Sequence, residues 1–134
     1  MIKPDAVARG QAGAILARME AAGFRLRALK MVRLAPDEAR GFYHVHAGKP
    51  FLEGLVTYMS SGPVVAMVLE REDAIRELRR VVGATDPAEA APGTIRRDFG
   101  VDKSHNAVHA SDGPQTAAEE IAFFGLTLAR EAGR

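Results

Sequence analysis

Residues Val64 to Leu69 form an unbroken apolar run, VVAMVL, rich in β-branched side chains and entered through the stop Ser60-Ser61-Gly62-Pro63. The run has no polar position to turn toward water, so it reads as a strand buried on both faces. The rest of the chain has to supply the cover. At 134 residues and 47% hydrophobic, it is large enough for one domain with a real core, and two domains would each be marginal. We therefore expect one domain over 1–134.

The covering elements are readable from period and punctuation. Residues 11–22 read as a helix with Ile15, Leu16 and Met19 on one stripe and Gly23 at its C-terminal cap. Residues 24–34 start with alternation, Phe24, Leu26 and Ala28 inward against Arg25 and Arg27, which predicts a strand. Pro36-Asp37-Glu38 opens a short helix toward Tyr43, and Pro50 opens another through Phe51, Leu55, Tyr58 and Met59. Residues 72–82 give the cleanest helix, with Ala74, Ile75, Leu78, Val81 and Val82 on one face and Gly83 at its end. Residues 84–105 show no period, and a loop that long in a small domain is usually functional or mobile. Asn106 to Ala110 reads as a short strand, Asp112 with Pro114 starts a last helix, and Leu126 to Arg134 gives no clear signal. With Met1-Ile2-Lys3 as the end of a first strand, the order is β-α-β-α-α-β-α-β-α. That contains the ferredoxin-like β-α-β-β-α-β plan of an α+β sandwich: a four-stranded antiparallel sheet with helices, a helical insertion and an appended C-terminal helix.

Several chemistries are excluded. The chain has no cysteine, hence no disulfide, thiolate metal site or Cys nucleophile. No apolar run approaches a membrane span and the N-terminus has no signal-peptide pattern, so a cytoplasmic protein without a membrane partner is expected. Lys+Arg at 18 against Asp+Glu at 17 gives a net charge of +1, which does not call for nucleic acid. Gly48-Lys49-Pro50 lacks the Ser/Thr and the upstream glycines of a phosphate loop, and no G-x-G-x-x-G run occurs.

Of the four histidines, His44 and His46 lie two apart, and a metal reading needs more ligands than they offer. His109 follows a short strand just before Ser111-Asp112 and a helix start. A neutral imidazole there is a competent nucleophile once its second nitrogen is oriented, by Glu119 or Glu120 folding back. A plain structural histidine fits the same position. Arg79 and Arg96 each read alone as solvated charges; together with Lys3, Thr85 and His109 they could converge on a polyphosphate.

Five segments resemble one family. They are Lys3-Pro4-Asp5, the run Ser61-Gly62-Pro63-Val64-Val65-Ala66-Met67-Val68, Gly83-Ala84-Thr85-Asp86-Pro87-Ala88, Pro92-Gly93-Thr94-Ile95-Arg96, and Asn106-Ala107-Val108-His109-Ala110-Ser111-Asp112. Together, in this order from Lys3 to about Phe124, they resemble nucleoside diphosphate kinase. The resemblance implies a ping-pong phosphotransferase in which His109 carries phosphate from a nucleoside triphosphate to a nucleoside diphosphate, with broad base tolerance. It implies that Glu120 orients the histidine with Ser111 beside it, and that Lys3 and Asn106 meet the ribose hydroxyls, Lys3 also near the transferred group. Arg79, Thr85 and Arg96 would clamp the distal phosphates, Tyr43 would lie near the transferred phosphate, and Phe51 would stack on the base. Mg²⁺ would be held mainly by the nucleotide phosphates rather than by protein ligands. A homo-oligomer, a dimer-based tetramer or hexamer, is also implied.

The chain departs from the family pattern at Ala110 and Arg97, where glycine is usual, and at Ser104-His105, where Gly-Arg is common. Lys103 stands where an apolar residue near the base is common, and Gly113 where serine often follows the Ser-Asp pair. A regulatory or nucleic-acid-binding module and a purely structural subunit are the rival readings. Neither needs His109, Glu120, Lys3, Arg79 and Arg96 together.

Overall fold

A computed structural model describes residues 1–128; residues 129–134, the end of the tail and of the expected 1–134 domain, lie outside the described residues. The α+β order is α1 (Pro4–Ala8), α2 (Ala12–Ala21), β1 (Arg25–Val32), α3 (Pro36–Phe42), a 3₁₀ turn (His44–His46), α4 (Leu52–Met59), β2 (Val64–Glu70), α5 (Ala74–Val82), α6 (Ile95–Phe99) and α7 (Pro114–Phe123).

The apolar run that constrains the chain is β2. It pairs antiparallel with β1, from Val32 opposite Val64 to Arg25 opposite Glu70. On its other edge, Ile2 N donates to Val65 O at 2.7 Å and Val65 N to Ile2 O at 3.1 Å. Ile2 also bridges Val108, flanked by Lys3 N to Ala107 O and His109 N to Met1 O, both 2.8 Å. The lateral order is thus β1, β2, Ile2, Val108. Side chains alternate across β2 as the two-sided burial requires. Val65 joins a core with Ile2, Ile15, Met19, Val82, Ile95 and Val108. Val64 and Ala66 join a second core with Phe42, Val56, Met59 and Phe124.

Regular pairing is confined to two strands among the described residues, where four were expected. The expected first and last strands are single bridges at Ile2 and Val108. Two local reasons account for this. Pro4 starts a helix directly after Lys3. Ala107 sits at φ 74°, with Val108 N donating back to Asn106 O at 2.9 Å, a three-residue turn that interrupts the last segment.

β1 corrects a second expectation. Phe24 is buried, but the register shifts between Leu26 and Ala28, and this bulge leaves Leu26 38% exposed rather than inward. Leu29 and Met31 on the same edge strand are exposed too, at 48% and 57%. The aperiodic stretch 84–105 contains α6, five residues long, whose N-cap Thr94 Oγ1 accepts from Arg97 N at 3.3 Å. Helices of one turn, α1 and α6, are too short to leave a period. At α7, Pro114 occupies the first turn and Gly113 N donates to Thr116 Oγ1 at 2.9 Å; Asp112, expected at this start, instead accepts from Arg79. Among the described residues no helix is long and apolar enough to cross a membrane.

Gly83 closes α5 at φ 90°, ψ −178°, a conformation nearly restricted to glycine. A Cβ there would lie 2.6 Å from Thr94 Oγ1. Gly83→Ala should therefore destabilise the fold by about 1–3 kcal/mol from backbone strain alone, measured by urea denaturation. A variant within 0.5 kcal/mol of the parent would contradict the close approach of these two loops.

Candidate active site

A cleft of about 1060 Å³ opens between the 3₁₀ turn and α4 on one side and the His109 segment with α7 on the other. Nine of the ten residues singled out from the sequence line it: Lys3, Tyr43, Phe51, Arg79, Thr85, Arg96, Asn106, His109 and Glu120. The tenth, Ser111, is half-buried beside Glu120 and lines a smaller apolar cavity of about 110 Å³ on the far side of His109.

His109 is placed by its backbone bond to Met1 O and by Phe42, whose ring meets the imidazole edge-on at 5.2 Å. Its Nε2 lies 2.8 Å from Glu120 Oε1, and Ser111 Oγ donates to the same oxygen at 2.6 Å. Spacing alone allows either Glu119 or Glu120 to reach the ring; Glu120 does, and Glu119 accepts from Gln115 instead. Burial opposes ionisation of Glu120, but the His109 and Ser111 hydrogen bonds outweigh it and hold the carboxyl below its ordinary range. An ionised carboxylate only accepts, so the imidazole proton resides on Nε2 and Nδ1 keeps its lone pair. Burial, against the pull of Glu120, holds His109 below the usual imidazole value. The ring is therefore neutral near pH 7.

The cations are set by both side-chain and backbone contacts. Lys3 Nζ donates to Asn106 Oδ1 at 2.8 Å, and Asn106 Nδ2 donates to Thr85 O at 3.0 Å. Arg96, 9% exposed, donates from Nη1 to Gly83 O at 3.1 Å and from Nη2 to Val108 O at 3.0 Å. Its Nε is buried and has no hydrogen-bond partner in the structure. Burial, then Arg96, lowers Lys3 to about 8; burial, then Arg79, lowers Arg96 to about 10. Arg79 is exposed and donates to Asp112 Oδ1 at 2.8 Å. The site thus concentrates positive charge and leaves it under-compensated. Among the described residues no group of three or more His, Asp or Glu is disposed to hold a metal ion.

The Tyr43 hydroxyl is buried with no hydrogen-bond partner, and burial, then Glu120, raises its pKa, so it remains a donor at the cleft wall. Its ring stacks on His46 at 6.1 Å, and His46 meets Phe51 at 5.1 Å. Phe51 is 53% exposed and free on one side. The sequence pattern alone reads His46 as a surface loop residue and does not point to Phe42 or Asp112 as site residues. The spacing Tyr43-x-x-His46 within one turn was the available signal for His46.

The departures are absorbed with little disturbance. Ala110 is not among the residues at positive φ, so glycine is not required there. Arg97 folds back to donate to Ala88 O at 3.0 Å. Lys103 and His105 line the cleft rim.

A neutral imidazole with one oriented nitrogen, facing fixed cations and an exposed ring in an α+β scaffold, defines a phosphotransferase acting on nucleotides. Comparison with known proteins names the family. The family model for nucleoside diphosphate kinase matches residues 1–126, and the chain belongs to that family. It is 57% identical to the nucleoside diphosphate kinase of Maricaulis maris over 92% of this chain and 89% of that one. It is 54% identical to that of Sorangium cellulosum, over 92% and 86%. Among solved structures, the Aquifex aeolicus nucleoside diphosphate kinase superimposes with a TM-score of 0.90 at 52% identity, covering 92% of this chain and 89% of that one. The Halobacterium salinarum enzyme, solved in complex with CDP, gives 0.89 at 42% identity, covering 98% and 90%. The reaction is transfer of the γ-phosphate of a nucleoside triphosphate to a nucleoside diphosphate.

The two shifted groups bound a pH window. A nucleophilic His109 has to be neutral; on that reading kcat/KM should fall on the acid side only below the ordinary imidazole value of about 6.5. A Lys3 that works as a cation on phosphate has to be charged; on that reading kcat/KM should fall again as pH rises through about 8. Bound phosphate favours the ammonium, so the alkaline limb of kcat should lie higher than that of kcat/KM. A profile flat from pH 7 to 10 would rule out a need for charged Lys3.

Proposed function

We propose that His109 Nδ1 carries the phosphoryl group in a ping-pong cycle. The observation that supports this reading best is the tie of His109 Nε2 to Glu120, which reserves Nδ1 for the cleft. The Nδ1 lone pair attacks the γ-phosphorus. A P–N bond forms, the bond to the β–γ bridging oxygen breaks, and its electron pair leaves on the diphosphate product. After exchange, a β-phosphate oxygen of the acceptor diphosphate attacks the phosphohistidine, and the P–N pair returns to Nδ1. Glu120 supports the positive charge that develops on the ring and keeps its tautomer, with Ser111 fixing the carboxylate.

Lys3, Arg79, Thr85 and Arg96 form the phosphate clamp, and Lys3 with Asn106 meets the ribose hydroxyls. Tyr43 offers its hydroxyl to the transferred phosphate, and Phe51 stacks on the base. Stacking on one ring reads no base edge, which suits broad acceptance. Mg²⁺ would ride on the phosphates, where it neutralises charge while keeping its own waters; the cleft acids Asp112, Glu119 and Glu120 are already engaged by Arg79, Gln115 and His109, which suits an ion delivered that way. The nucleoside diphosphate bound in the Halobacterium salinarum relative supports the same ligand class here.

The same reading extends to architecture and setting. We take the chain as one nucleoside diphosphate kinase domain on a four-stranded ferredoxin-like plan, in which Ile2 and Val108 mark the first and last strands. It would assemble into a dimer-based tetramer or hexamer and work in the cytoplasm on nucleotide pools. Exposed Leu26, Leu29 and Met31 on an edge strand support self-association, since an uncovered apolar edge invites pairing.

Three measurements test this. Incubation with γ-labelled ATP and Mg²⁺ should give acid-labile, alkali-stable label that a nucleoside diphosphate discharges; unchanged label on His109→Ala would sink the assignment. Arg79→Ala should cost about 1.5–3 kcal/mol of transition-state stabilisation, as for loss of one hydrogen bond to a charged group, and a kcat/KM within twofold of the parent would refute its clamp role. Light scattering on Leu29→Lys/Met31→Lys should show a smaller species than the parent. Identical masses would remove β1 from the interface.

A further inference from the structure

The turn Asp102–His105 forms part of the cleft rim. Asp102 Oδ1 accepts from Ser104 N at 2.9 Å, His105 N at 2.8 Å and His105 Nδ1 at 3.1 Å. The His105 ring then rests edge-on against Tyr58 of α4, with centroids 4.4 Å apart. The turn is thereby fastened to the helix that begins beside Phe51. Seven residues separate Phe51 from Tyr58, about 10 Å along the helix, so the ring and the turn stand at two walls of one opening.

Lys103 occupies the tip of this turn. It is exposed, lines the cleft, and makes no hydrogen bond or ion pair among the described residues. It also stands apart from the phosphate cations. Arg96 depresses Lys3 and Arg79 depresses Arg96, whereas Lys103 contributes to neither shift. An ammonium without a hydrogen bond or ion pair among the described residues thus stands at the cleft rim, on the turn whose His105 meets α4, the helix that Phe51 precedes; the same turn also borders a shallow pocket with Asp86 and Ala88.

Resting on the placement of the base at Phe51, we infer that Lys103 biases the acceptor toward bases that present an oxo group. A lysine ammonium only donates. Guanine offers it O6 and N7 side by side, whereas adenine sets an amino donor beside N7; O4 of uracil and the amino group of cytosine differ in the same way. A flexible, exposed side chain places the effect at the low end of a base-edge contact, about fivefold.

The test compares kcat/KM for GDP, ADP, UDP and CDP at a fixed triphosphate donor. The parent should favour GDP over ADP, and UDP over CDP, by about fivefold. Lys103→Met keeps the apolar stem and should bring both ratios within twofold of unity, and Lys103→Glu should invert them. Ratios unchanged in both variants would overturn the inference, as would an equal loss with all four acceptors, which would make Lys103 a phosphate contact. Phe51→Ala separates the underlying reading: if it leaves KM for all four acceptors unchanged, the base does not lie at Phe51, whatever Lys103 does.

Discussion

The site depends on the backbone pairing of Ile2. On one side Ile2 is hydrogen-bonded to Val65 in β2, and on the other it bridges Val108. Lys3 therefore leaves the chain one residue after that junction and His109 one residue after its partner. The imidazole and the ammonium are held by adjacent backbone, not by loops that must find each other. Side chains alternate along extended chain, so a slip of one residue would send Lys3 to the wrong face. Burial of Ile2 at 1% exposure, with Val65 and Val108 around it, makes that slip expensive. Specification of the core and of the catalytic register is thus one and the same constraint.

The second organising fact is positive charge held under cover. Lys3 and Arg96 are both buried, and both are pushed down because desolvation penalises their charged forms. Neither receives a buried carboxylate. Lys3 has an amide oxygen, and Arg96 has two backbone carbonyls. Carbonyl dipoles satisfy the guanidinium geometrically without cancelling its charge, so Arg96 joins the Gly83 turn to the His109 segment and still projects a field into the cleft. An unpartnered Arg96 Nε and an unpartnered Tyr43 hydroxyl add to the imbalance. The free site is therefore less well satisfied than an ordinary interior, which is how a site built to stabilise a polyanion is expected to look.

How much of this was legible in the sequence depended on the length scale of each signal. β2, α2, α4 and α5 each repeat their pattern long enough to be read, and they appeared where expected. α1 and α6 are one turn long and had no period to show. The inward assignment of Leu26 failed because a bulge is a tertiary adjustment that alternation does not encode. The last strand shrank to a bridge because Ala107 adopts a left-handed conformation that nothing in its side chain advertises. The site residues came from a linear motif and its resemblance, and the cleft gathers nearly all of them. What the motif did not convey was their dual employment: Arg96 holds two loops together, and His46 packs Tyr43 toward Phe51.

A net charge of +1 described a chain with no call on anionic polymers, and it also hid the feature that matters. Charge in this protein is segregated by depth. Lys3 and Arg96 are buried, held by an amide oxygen and by two backbone carbonyls, and shifted by desolvation, whereas Arg79 stays exposed on Asp112. Phe51 and Lys103, on the side we propose for the base, are exposed and lightly held. Buried, preorganised donors are worth more per contact than exposed ones, because water competes less and little ordering remains to be done on binding. Affinity and rate should therefore be carried by what all nucleotides share, and the base should contribute only a modest bias. The broad base acceptance we propose then needs no special device: it follows from holding Lys3 and Arg96 under cover and leaving Phe51 open to solvent.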